Sequence, residues 1–180
     1  MRVFINPGHA PNGNPDPGAV NAYTGLRESD VAYSIGEAVK AYLEASGCEC
    51  RMLQDDSLNE VVSDSNNWEA DVFLSIHCNS AANEQANGTE TFYYYNSRYG
   101  EKLATCINNQ LVSSLPLTDR GIKGAQPGVN GLYVLTNTDA VAVLVETAFI
   151  SNGDDVVLLT EKQDDFARAI ARGVTDYEQL

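Results

Sequence analysis

The chain has 180 residues, 43% of them hydrophobic and 20% charged, with a net charge of −14. That length suits one domain spanning 1–180, because such a chain buries roughly two-thirds of its unfolded surface around a single core. Eleven scattered basic residues against 25 acidic ones exclude a nucleic-acid partner, since phosphate binding needs clustered Lys and Arg, and no window holds the ~20 apolar residues of a membrane span. Met1 leads directly into strand-like sequence, so no export signal is expected. A monomer is expected.

Val3 to Ile5 is a short apolar strand that runs into Asn6-Pro7-Gly8-His9 and a loop to Ala19. From Glu28 to Ala45, Val31, Ile35, Val39 and Leu43 recur every four residues and predict an amphipathic helix. Cys48 to Leu53 reads as a second strand and Leu58 to Trp68 as a weaker helix or a loop. Val72 to Ile76 is an apolar run ending at His77, which suits a strand buried on both faces.

Thr89 to Tyr95 is rich in Thr, Phe and Tyr and reads as a strand. Glu101 to Leu115 reads as a helix stopped before Pro116. Leu117 to Gly131, with four glycines and a proline, reads as a long surface loop. Leu132 to Leu135 and Val141 to Val145 are further apolar runs, read as strands. Phe166, Ile170, Val174 and Tyr177 mark a closing helix. This alternation predicts an α/β sandwich with a mostly parallel sheet of about five or six strands. Cys48 and Cys50 would stand ~6.6 Å apart along one strand, poorly placed for a disulfide, so free thiols are expected.

In open α/β sheets ligands sit beyond the carboxyl ends of the strands. His9, His77 and Glu146 each stand at or near such an end, and Glu28 opens the helix returning to the same edge. Two imidazoles and a carboxylate can hold a tetrahedral zinc ion with one position open to water. Taken singly, each histidine also fits a hydrogen-bonded structural residue, and Glu28 fits a first-turn carboxylate stabilised by ~0.3–1 kcal/mol at the helix dipole. Glu146 sits in the apolar run Val143 to Ile150, where an unpaired carboxylate is costly.

At these residues the chain resembles the zinc-dependent N-acetylmuramoyl-L-alanine amidases, the amidase type 3 family, over essentially its whole length. Asn6-Pro7-Gly8-His9 is similar to the family's D-P-G-H opening and Asp16-Pro17-Gly18-Ala19 to the D-P-G-A that follows. Leu26-Arg27-Glu28, Ser75 to Ser80, Arg120 to Lys123, Leu132 to Leu135 and Leu144 to Asn152 match further segments in the family's order. The resemblance implies that His9, Glu28 and His77 bind one zinc ion, that Glu146 is the catalytic glutamate, and that the fold is a three-layer α/β sandwich, a six-stranded sheet with helices on both faces. The implied substrate is peptidoglycan, cut at the amide between N-acetylmuramic acid and L-alanine of the stem peptide, with action at the bacterial cell wall. Asn79 and Arg120 are candidates for gripping that peptide. Asn6, where the family has aspartate, is a departure that bears on how His9 is supported. A non-catalytic wall-binding domain of the same fold and a zinc carboxypeptidase acting on the stem peptide are the alternatives.

Overall fold

A computed structural model describes all residues, 1–180. Six strands form one sheet: β1 (Arg2–Pro7), β2 (Glu49–Met52), β3 (Val72–Asn79), β4 (Thr89–Tyr94), β5 (Asp119–Ala125) and β6 (Val141–Phe149), in the order β2-β1-β3-β6-β4-β5. β2, β1, β3 and β6 run parallel, whereas β4 is antiparallel to β6 and carries β5 parallel to itself. The carboxyl ends of β1, β3 and β6 therefore share one rim with the amino ends of β4 and β5. The predicted mostly parallel sheet is present, and its reversed pair brings additional residues to that rim.

Six helices accompany the strands, four between strands and the last two after β6: α1 (Glu28–Ala45), α2 (Leu58–Asn67), α3 (Arg98–Ser114), α4 (Tyr133–Asn137), α5 (Gly153–Glu161) and α6 (Gln163–Glu178). The every-fourth-residue stripe of α1 is buried: Val31, Ile35, Val39 and Leu43 show at most 1% exposure. Ser57, Ser97 and Asn152 cap α2, α3 and α5 by accepting main-chain N–H bonds in the first turn, which satisfies donors the helix cannot pair itself.

Side chains alternate across each strand, and the two faces carry cores of unequal size. On one face Val3, Ile5, Leu74, Ile76, Val143 and Val145 pack under α1, α3, α5 and α6 in a core of 29 buried residues. On the other, Phe4, Phe73 and Leu144 pack with Val61 and Val62 of α2 and Val134 and Leu135 of α4 in a core of nine. Two short helices cover little of that second face, so the strand ends beyond Leu144 and Ser75 open into a groove.

Two predicted elements are corrected. The segment read as a loop from Leu117 contains β5, the sheet's edge strand. Leu132 to Leu135 is not a strand but the start of the single-turn helix α4. All four cysteines are free thiols, as expected, with Cys48 and Cys78 buried and Cys50 and Cys106 partly so. No helix is long and apolar enough to cross a membrane.

Candidate metal centre

β1 and β3 deliver the two histidines and α1 delivers the carboxylate between them. His77 lies in β3, paired in register with Glu146 of β6. His9 follows β1 in a left-handed conformation, φ +66°, an uncommon state for a non-glycine residue and one that gathers at functional sites. His9 Nε2 lies 3.0 Å and His77 Nδ1 lies 2.9 Å from the same atom, Glu28 Oε1. The three donor atoms fall within 4.8 Å of one another.

Each member is held from behind. Glu28, 4% exposed, accepts the Ala19 N–H on Oε2 at 2.8 Å and the Cys78 N–H on Oε1 at 3.0 Å. His9 Nδ1 pairs with Asp16 Oδ2 at 2.7 Å, and Asp16 Oδ1 accepts the Gly18 N–H at 2.9 Å. Gly8 and Gly18 leave the space: a Cβ on Gly8 would come within 2.2 Å of the His77 ring, and one on Gly18 within 2.5 Å of His9 and 2.7 Å of Glu28. Both glycines are thus the walls of the cradle.

Asn6 does not support His9. It is 2% exposed, accepts a hydrogen bond from Ser75 Oγ at 2.9 Å and donates to the Pro7 and Leu53 carbonyls at 3.1 and 3.2 Å. An ionised aspartate could not make those two donations, so the asparagine suits its surroundings, and the carboxylate partner of His9 is Asp16.

Burial works against a charged His9, but Glu28 and Asp16 outweigh it and raise the imidazole to about 9. Burial likewise pushes Glu28 up, yet bonds to His77 and His9 prevail and hold it well below the usual carboxylate range. Two imidazoles and a carboxylate whose donor atoms converge within 4.8 Å have the donor chemistry of a divalent-cation site. A tetrahedral zinc ion with bonds of ~2.0–2.1 Å spaces its donors ~3.3 Å apart; the observed 3.0 and 2.9 Å lie within a few tenths of that.

Glu146 stands beside this cluster with its Oε2 buried and without a hydrogen-bond partner. Burial pushes its carboxyl up to about 7. A groove of ≈ 270 Å³ reaches the histidines past Asn6, Gly8, Asp16 and the apolar residues Leu58, Leu132 and Leu144.

Comparison with known proteins gives the family. The sequence profile described as N-acetylmuramoyl-L-alanine amidase matches residues 3–176. The chain belongs to this amidase family. It is 36% identical to N-acetylmuramoyl-L-alanine amidase LytC of Bacillus subtilis (strain 168) over 97% of its own length, and spans 35% of that relative. Among solved structures, amidase AmiC2 of Nostoc punctiforme superposes with a TM-score of 0.88 at 32% identity, covering 100% of this chain and 98% of the other. The catalytic domain of amidase CwlV from Bacillus (Paenibacillus) polymyxa var. colistinus gives 0.86 at 29% identity, with 99% and 98% covered.

Within the amidase frame, the structure gathers His9, Glu28, His77 and Glu146 at one rim. Asn79 and Arg120 do not reach the metal cluster. They meet instead on Glu90, whose Oε1 accepts from Asn79 Nδ2 at 2.7 Å and whose Oε2 accepts from Arg120 Nε at 2.9 Å and pairs with Lys123. Glu90, directly opposite Glu146 in the β4–β6 pair, is missed by a search of strand carboxyl ends because it begins a reversed strand. Asp16 is missed as well, although its place in a D-P-G-A segment seven residues beyond His9 marks it.

Proposed function

We propose that this chain is a zinc-dependent peptidoglycan amidase that hydrolyses the amide between N-acetylmuramic acid and L-alanine of the stem peptide, at the bacterial cell wall. The observation that carries the reading is the convergence of His9 Nε2 and His77 Nδ1 on Glu28 Oε1, beside the unpartnered carboxylate oxygen of Glu146.

His9, Glu28 and His77 would hold the ion, with Asp16 fixing the His9 ring through Nδ1 and strengthening Nε2 as a donor. Bound there, zinc supplies Lewis acidity toward the lactyl carbonyl and acidifies water. Glu146 is the proton carrier. Its carboxylate takes a proton from the attacking water as the new carbon–oxygen bond forms, and delivers it to the alanine nitrogen as the carbon–nitrogen bond breaks. A carboxyl raised to about 7 by burial suits a group that must both accept and release a proton near neutrality. The groove between α2 and α4 gives an extended, polymer-linked substrate access from the side.

Glu146→Gln should lower kcat by at least 10²-fold while zinc content stays near one ion per chain. Release of free L-alanine amino termini from purified walls, measured with and without chelator, reads the activity. Near wild-type turnover in Glu146→Gln would remove its assigned role, and intact stem peptides among the products separate amidase from carboxypeptidase action.

A further inference from the structure

The groups around Glu90 are organised by a break in the pairing of β4 with β5. Thr89 pairs with Asp119 and Thr91 with Ile122, so Arg120 and Gly121 together face Glu90. Bulges of this kind are rare in parallel pairs and redirect side chains near active sites. Gly121 takes φ +76° here, a conformation glycine adopts without strain. Regular alternation would send Arg120 and Lys123, three residues apart, to opposite faces. The bulge brings both to one face and onto one carboxylate oxygen, Glu90 Oε2.

Glu90 is 4% exposed and both its oxygens are engaged. Arg120 and Lys123 keep 33% and 39% of their side chains in solvent, and Arg120 lies with its Cζ 4.8 Å above the Phe149 ring. One cation would balance the carboxylate. Two leave one positive charge beyond what Glu90 balances, with unspent N–H donors on both side chains, at the rim of a protein whose net charge is −14. The cations stand one to two strand spacings from Glu146, roughly 5–10 Å, which extended peptide covers in about two to three residues.

We propose that Arg120 and Lys123, positioned by Glu90 across the β5 bulge, form a subsite for a free carboxylate of the stem peptide, about two to three residues beyond the scissile amide. The subsite makes the protein select carboxylate-bearing over amidated stem peptides; this rests on the amidase reading above.

Matched N-acetylmuramoyl peptides, with the stem carboxyl groups free or converted to carboxamides, test it. Wild-type protein should hydrolyse the free acids with kcat/KM at least about tenfold higher, chiefly through KM, as expected for loss of a charge-assisted contact. Arg120→Gln and Lys123→Gln should each shrink that ratio several-fold, and Arg120→Lys should restore part of it. Equal kcat/KM for the two substrates in wild type, or equal losses on both in the variants, would overturn the subsite. Calorimetric titration of the wild-type protein with the corresponding peptides lacking the sugar reads the same preference without turnover. If neither substrate is cut, the amidase reading fails, while the ratio of peptide affinities still decides for or against the subsite.

Discussion

At the residue scale the proposed metal centre depends on supports that are themselves polar and specific. Asp16 is the sharpest case, because His9 Nδ1 has it as carboxylate partner at 2.7 Å. Asp16→Asn keeps the size but removes the charge, and zinc affinity should fall 10- to 100-fold, measured by competition with a chelator of known affinity. His9, Glu28, His77 and Glu146 were legible as residues at predicted strand ends and in family motifs. Asp16 was legible only as part of a family segment and Glu90 not at all, since a carboxylate in a loop or at a strand start shows no role until its partners are placed beside it. Asn6 shows the converse. A substitution that looked like a weakened support for His9 is a buried amide tying β1 to Ser75 and Leu53.

At the element scale, β4 and β5 decide how wide the site is. β5 carries Gly121 and Gly124, and its bulge breaks the alternation by which a strand is recognised, so it reads as loop. Leu132 to Leu135 reads as strand because a helix of five residues is too short to display a helical period. The Glu90 brace ties β5 to β4 and has a pH signature. Burial pushes Glu90 up, but Lys123 and Arg120 outweigh it and leave the carboxyl below its ordinary range. A lowered carboxylate stabilises the fold fully above its unfolded value, ~4.3, and that contribution is lost as pH falls through the lower folded value. Protection factors of the β5 amides Ile122 to Ala125, taken relative to the intrinsic exchange rate at each pH, should therefore fall selectively below about pH 4, and Glu90→Gln should abolish that step.

At the scale of the whole molecule, the His9–Glu28–His77 cluster stitches β1, the following loop, α1 and β3 together, so an ion held there as proposed would be linked to stability. Zinc at a hundredfold excess over its Kd should stabilise the fold by ~2.7 kcal/mol, or roughly 5–10 °C in Tm for a domain of this size. Differential scanning calorimetry with and without chelator checks this, and Asp16→Asn should narrow the gap. The sequence by itself determined the class of sheet, the long helices and the four principal residues at the rim, because hydrophobic period and local motif are properties of contiguous residues. Only the tertiary structure decided that β4 and β5 run backwards, that two helices leave one face partly uncovered, and that Asp16 backs His9 while Glu90 gathers Asn79, Arg120 and Lys123. Those outcomes depend on strand order, on a one-residue break in register and on pairs of charges far apart in the chain, none of which leaves a periodic trace in the sequence.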